Sequence, residues 1–284
     1  MSDISVGWLD VREPWDSHAR AGAIAALVTK WAKERVGTSD KALRVLDLGC
    51  GTGANFRAVS PLLGPRQEWV LLDRQSDLIA EARRRVQSTP LIRVSFDQKL
   101  LPNIDPETLV VGRDLVTCSS LLELVSKEWL ERLWASVQRH RVAFLTTLDY
   151  DGRINFLPAN GTDLALRELM NRHQRRDCGY GPALGADATA ELVRLARTSG
   201  AYRLHAPSDW RIEPARDHTW QPLIAGLSQA AGEQAAGEQA AGEQAAADQV
   251  VSPQHDFDAW RDDRLEGEWY RLTIGHQDMF AAWI

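Results

Sequence analysis

The decapeptide RVLDLGCGTG, Arg44 to Gly53, narrows the fold of this chain more than any other stretch. Val45, Leu46 and Leu48 form a short apolar run of the kind found in parallel strands buried on both faces. Gly49, Gly51 and Gly53 follow immediately. Glycines at such a point permit a tight turn with positive φ and let a ligand approach bare backbone. Helical spacing resumes from Asn55 to Leu62. Strand, glycine turn and helix in that order put the turn at a strand's carboxyl end, where α/β sheets bind nucleotide-like ligands.

The spacing also bears on the ligand. A dinucleotide fold reads G-x-G-x-x-G and holds a pyrophosphate at a helix N-terminus. Here the run is G-x-G-x-G, and Asp47 stands two residues before the first glycine. That carboxylate disfavours an anionic diphosphate and favours a ligand with a cationic amino group and a sulfonium. A phosphate P-loop is excluded because no Gly-Lys-Ser/Thr follows. The bland alternative is a structural turn with no ligand.

The next segments narrow the choice. EWVLLDRQSDLIAEARRR contains a second apolar strand, Trp69 to Leu72, that ends in Asp73. An acid at this point can accept both ribose hydroxyls, although it could equally serve a helix N-terminus. LIRVSF is a third strand, and Asp97 at its end could accept from an exocyclic adenine amine. DLVTCSSLLELV supplies a fourth strand and a turn with Ser119 and Ser120.

Together these residues resemble the class I S-adenosylmethionine-dependent methyltransferases, in particular the small-molecule (type 11/25) group. LDLGCGTG matches that family's glycine-rich motif, LLDRQ its acidic second-strand end, FDQ its third-strand acid and DLVTCSSLLELV its fourth-strand segment. The resemblance spans Leu43 to Leu148. Leu124 departs from it, standing where the group often has the histidine of Leu-Glu-His. The resemblance implies an α/β, Rossmann-like seven-stranded sheet in the order 3-2-1-4-5-7-6, with strand 7 antiparallel and helices on both faces. It also implies S-adenosylmethionine as methyl donor, S-adenosylhomocysteine as product, and a donor site from Asp47, Gly49, Cys50, Gly51, Asp73, Arg74, Asp97, Gln98 and Ser119.

Composition agrees with such an enzyme. The 284 residues can bury one large core, and a net charge of −6 does not steer the chain toward nucleic acid or an anionic membrane. No apolar run approaches the ~18 residues of a membrane span. The start, MSDISVGWLD, lacks the basic and apolar regions of a signal peptide. Cys50, Cys118 and Cys178 have no metal-like spacing and read as reduced cytoplasmic thiols. No metal is expected.

The domain reading is a helical cover over residues 1–40 and a methyltransferase domain over 41–284. In the cover, Trp15 and Arg20 are placed to face the ligand, or simply to pack and be solvated. Two insertions interrupt the domain. A polar, glycine-containing stretch of about 149–185 leaves the fifth strand's carboxyl end and reads as a substrate cap. The AAGEQ repeat of about 230–249 keeps no fixed helical face. It reads as a frayed helix extension or surface insertion, dispensable for binding.

The cap supplies the candidates for chemistry. His173, with Asp177 four residues on, is the first choice for a general base, and Asp149 is a further candidate. The alternative is that these groups merely order the loop. Tyr150 and Trp210 are candidate substrate contacts. His276 and Asp278 lie on the antiparallel strand, whose carboxyl end is expected to point away from the donor. The expected activity is methyl transfer to a small-molecule O, N or C nucleophile. Protein methylation, or a non-catalytic donor-binding partner protein, are the other readings.

Overall fold

The computed structural model describes residues 4–37, 41–245, 256–266 and 269–283. Two helices lead, α1 (Val6–Ala19) and α2 (Gly22–Val36). An alternating α/β run follows: β1 (Leu43–Leu48), α3 (Ala54–Val59), β2 (Gln67–Asp73), α4 (Ser76–Arg85), β3 (Ile92–Gln98), α5 (Pro106–Val110), β4 (Leu115–Ser119), α6 (Lys127–His140) and β5 (Ala143–Leu157). The remainder is α7 (Asp163–His173), α8 (Ala188–Thr198), β6 (Tyr202–Pro207), β7 (Trp210–Ile212), α9 (Gln221–Ala245), α10 (Phe257–Glu266) and β8 (Arg271–Ala282).

The sheet runs β3-β2-β1-β4-β5-β8-β6, and β7 joins it by pairing with β8. Strands β1 to β5 run parallel to one another, and β8 is antiparallel to both β5 and β6. This is the expected order, with β8 as the antiparallel member and the short β7 as an eighth strand. The central strands are buried apolar runs, as sheets covered on both faces require. One face packs on α6 and α8 through Leu130, Leu133, Trp134, Leu192 and Ala196. The other packs on α2, α3 and α4 through Ile24, Val28, Phe56, Val59 and Ile79. Most of α2 therefore belongs to the sheet's own covering layer.

Residues 149–157 depart from the cap reading, because the chain stays in β5 to Leu157. Two register shifts against β8 let it pass the usual strand end, and Leu148 adopts φ 59° at the first of them. The reason is local. Tyr150, Ile154 and Phe156 find apolar partners in a second core with Leu272 and Ile274 of β8. Helices α7, α9 and α10 complete that core with Leu166, Met170, Ile224, Leu227 and Trp260. A buried ion pair ties it together: Arg264 Nη2 donates to Asp163 Oδ2 at 2.6 Å, and Trp260 Nε1 donates to Asp163 Oδ1 at 2.9 Å.

The repeat also needs correction. Its described part continues α9, and residues 246–249 lie outside the described residues. Ala231 is fully buried, and Ala230 and Ala235 pack on the same core. Arg172 of α7 donates to Glu238 at 2.6 Å. The first unit is thus part of the packing, whereas 236–240 are exposed. The alanines make this packing, whereas a Cβ built at Gly232 or Gly237 would meet nothing within 4 Å. Ala231→Asp should bury an unpaired charge and cost about 2 kcal/mol or more, lowering the melting temperature by about 5 °C or more. Ala240→Asp on the exposed continuation should leave it unchanged. Calorimetric melts of the two variants check where packing ends.

Candidate functional site

The glycine turn after β1 holds its shape through backbone that other residues resist. Gly51 has φ 53°, and a Cβ there would stand 3.2 Å from Leu9 Cδ1. Gly53 has φ 83°, and a Cβ would meet Val86 Cγ2 at 2.6 Å. Asp73 at the end of β2 fastens the turn, accepting from Gly51 N at 2.9 Å and Gln75 N at 3.0 Å. The Gln75 side chain then pins the chain ahead of α1, with Ile4 N donating to Oε1 at 3.0 Å and Nε2 donating to Ile4 O at 2.9 Å.

Behind the turn, Asp47 is fully buried. Its Oδ1 accepts from Asn55 Nδ2 at 2.7 Å, while Oδ2 is buried and has no partner among the described residues. Asn55 passes the contact outward. Its Oδ1 accepts from Arg20 Nη1 at 3.1 Å, and the same nitrogen donates to Thr147 Oγ1 at 2.8 Å. Burial pushes the Asp47 carboxyl up to about 7, with Asn55 and Arg20 pulling it back. Burial also lowers the Arg20 guanidinium below its ordinary value, opposed by Asp278, Asp16 and Asp47.

Helix α1 closes the space in front. Arg12 donates to both oxygens of Asp16 at 3.0 and 3.1 Å, and to Ser120 Oγ at 2.6 Å. The result is a cavity of about 140 Å³. The glycine turn, Asp73 and Arg74 line one side, and Leu9, Arg12, Asp16 and Arg20 the lid. Lys99 to Leu101, Ser119 to Leu121, Leu124 and Tyr180 complete the wall.

The structure therefore brings together Gly49, Cys50, Gly51, Asp73, Arg74 and Ser119, with Asp47 directly behind them. Asp97 and Gln98 stand apart from the lining. Asp97 is half-exposed and accepts from Lys99 Nζ at 3.0 Å, and Gln98 Nε2 donates to Arg74 O at 3.2 Å. Tyr150 and Trp210 belong to the second core, not to the cavity wall. The Tyr150 hydroxyl donates to Asn171 at 2.8 Å, and Trp210 Nε1 donates to Asp16 at 3.0 Å beneath the Arg12 guanidinium.

The candidates for base chemistry do not converge on the cavity. His173 ends α7 against Arg176, and burial followed by that cation lowers its pKa. Asp177 turns away from it and accepts from Gly179 N at 2.6 Å and Gly181 N at 2.9 Å. The reason is that α7 stops at His173, so the pair does not share a helix face. Asp149 is fully buried and accepts from Thr146 Oγ1 at 2.7 Å. Burial, then repulsion from Glu123, pushes its carboxyl well above the ordinary range.

His276 and Asp278 sit nearer the site than expected, because β8 is long enough to run past the active edge. Asp278 accepts from Ala21 N and Leu148 N, each at 2.8 Å. His276 is buried against Trp210 with ring centroids 4.7 Å apart, and burial lowers its pKa to about 3, so it stays neutral. Residues missed from sequence include Asn55, Tyr180 and the α1 pair Arg12 and Asp16. Leu9, Arg12 and Asp16 recur at three and four residues, one face of a helix, which was a usable signal.

Residues 45–141 match a family model described as a methyltransferase domain. The chain carries a class I S-adenosylmethionine-dependent methyltransferase domain. None of the curated proteins compared matches this methyltransferase. Among solved structures it is similar to a cyclopropane-fatty-acyl-phospholipid synthase-like protein from Lactobacillus casei, at 14% identity and TM-score 0.50, over 96% of this chain and 99% of that one. A putative methyltransferase from Bacillus halodurans matches at 12% identity and TM-score 0.48, over 92% and 99%. The YcgJ protein of Bacillus subtilis matches at 16% identity and TM-score 0.46, over 88% and 97%. At such identities the first of these supports the fold and nothing finer.

The methyltransferase's Asp47 carries a consequence for stability. Its carboxyl lies at about 7 when folded, against about 3.9 in an unfolded chain. Between those values the folded state holds more protons, so this group's contribution falls as pH rises toward 7 and is level above it. Asp47→Asn buries no charge. Its melting temperature should therefore gain on the wild type as pH moves from 5 to 8. A gap that does not change with pH would mean that Asp47 is ionised throughout.

Proposed function

We propose that this protein transfers the methyl group of S-adenosylmethionine to a small-molecule acceptor held between the donor and the α1 lid. One observation carries the reading: two acids flank the glycine turn, Asp73 locked by Gly51 N and Asp47 with one buried oxygen unpartnered. The donor set fits the group. Asp73 suits two ribose hydroxyls, Asp47 a cationic amino group, and Arg20 the carboxylate of the methionine end. When bound, the donor supplies a methyl on a sulfonium with a neutral thioether as leaving group.

The chain's own part is alignment. The lid and wall exclude water and hold an acceptor in line, and orientation of this kind supplies several kcal/mol. Asp16, the carboxylate of α1 that lines the cavity, is engaged by Arg12 and Trp210, so the reading requires no general base from it. Coverage of the cavity by α1 favours a small acceptor over a protein segment.

Binding tests the proposal directly. S-adenosylmethionine and S-adenosylhomocysteine at one hundred times their dissociation constants should stabilise the fold by about 2.7 kcal/mol, and NAD should not. Asp73→Ala removes charged hydrogen bonds worth about 1.5–3 kcal/mol each, so its affinity should drop at least tenfold by calorimetric titration. Stabilisation by NAD alone, or unchanged affinity in Asp73→Ala, overturns the assignment.

A further inference from the structure

The loop after α7 contains the sequence DCGYG, residues 177–181, and it folds around one oxygen. Asp177 Oδ1 accepts from Gly179 N at 2.6 Å and from Gly181 N at 2.9 Å. Both glycines adopt left-handed backbone, with φ 93° and 89°. A single carboxylate oxygen thus fixes the residues on either side of Tyr180, and the tyrosine is the side chain that this small loop presents.

The loop is docked as well as folded. Leu184 N donates to Val125 O at 2.9 Å, and Ala183 forms an antiparallel bridge with Ser126. Ser126 caps α6, its Oγ accepting from Trp129 N at 3.2 Å. The Tyr180 ring seats edge-on against Trp129 of that first turn, with centroids 5.3 Å apart and planes at 77°. From this seat Tyr180 borders the cavity together with Arg74, Lys99 and Leu124.

Its hydroxyl makes no hydrogen bond among the described residues. The charges it feels most are Asp73 and then Arg74, at the end of β2. Burial keeps the phenol protonated, so it can both donate and accept. A half-buried ring with an unused hydroxyl, on the wall that Asp73 also lines, is arranged to meet a ligand rather than to fill a core.

We infer that Tyr180 contacts the bound donor at its nucleoside end, and that Asp177 is the positioning residue that holds it there. This rests on the S-adenosylmethionine reading given above. The cap then acts on the donor through one tyrosine, and His173, which contacts Arg176, is outside the cavity lining.

Calorimetric titration with S-adenosylhomocysteine tests this. Tyr180→Phe loses one neutral hydrogen bond and should weaken binding about 2- to 10-fold. Tyr180→Ala loses the ring too and should weaken it further, by at least about tenfold. Asp177→Ala should match Tyr180→Ala, and Asp177→Asn should restore most of the loss, because one amide oxygen can accept from both glycines. The double variant Asp177→Ala/Tyr180→Ala should bind no more weakly than Tyr180→Ala alone, since both changes remove the same contact. Additive losses, or wild-type affinity in Tyr180→Ala, overturn the inference. If Asp73→Ala loses binding while the Tyr180 variants do not, this inference fails and the donor reading stands. No binding by the wild type overturns both.

Discussion

The Asp278 carboxylate holds three parts of the molecule in register. One oxygen accepts from Ala21 N, at the joint between α1 and α2, and the other accepts from Leu148 N, at the bulge in β5. A buried carboxylate is costly unless its lone pairs are used, and here two backbone donors use them. The joint fixes where α1 leaves the sheet, hence where Arg20 and Arg12 point. The bulge fixes Thr147, which receives Arg20, and Leu148 O, which accepts from Ser120 Oγ at 3.0 Å. Ser120 in turn accepts from Arg12. Both Ser120 and Leu148 adopt positive φ, a cost of order 1–3 kcal/mol each that persists only where surrounding contacts enforce it.

Two kinds of force hold the lid, and their sizes differ. Glu13–Arg57 and Asp10–Arg85 link α1 to α3 and α4, but partly exposed ion pairs are worth about 1 kcal/mol or less. Trp8, Trp15 and Trp210 pack with centroids 5.3 to 6.4 Å apart. Trp15 and Trp210 are buried and Trp8 is half-buried, and a buried indole removes about 150–250 Å² from water, roughly 4 kcal/mol or more gross at 25 cal/mol per Å². The aromatic cluster therefore carries α1, and the ion pairs orient it. Because Trp210 sits on β7 and β7 pairs with β8, the second core is what places the lid over the first. The long β5–β8 ladder thus serves the site without lining it.

The glycine turn and the acids beside it were legible in the sequence because their signal is local. RVLDLGCGTG puts strand, turn and helix within a few residues, and the acid of Asp73 falls at the next strand end. The sheet order followed from the family resemblance those motifs carry. What was illegible depends on distant pairing. DYDGRINF looks like loop because its polar residues interrupt the apolar ones, yet it is strand because β8, more than 100 residues later, supplies a ladder for it. The same partner carries Asp278 to the edge where strand direction alone argued against it. His173 and Asp177 failed as a pair because a spacing of four matters only while the helix continues, and α7 ends between them. The AAGEQ repeat misled for a different reason. A periodicity test looks for apolar stripes, and small residues let helices approach closely without one.

The charge pattern around the cavity points to one kind of chemistry. Asp47, Asp278, Asp149 and Glu123 are buried, and burial raises the pKa of each. Arg20 acts on Asp278 and Asp47, and Arg12 on Glu123, while Arg74 and Lys99 bring two further cations to the lining. The lining itself carries Arg12, Arg20, Arg74 and Lys99 against Asp16 and Asp73, so the negative charge is local, at Asp73 and at Asp47 behind the glycine turn. A cationic group placed at Asp47 favours the ionised form that burial disfavours. The same field suits the consumption of a sulfonium, because the reaction turns a cation into a neutral thioether and so weakens the product's hold on the acids. Attraction of a cationic group by Asp47 and Asp73 is the chemical resource that this arrangement of residues offers.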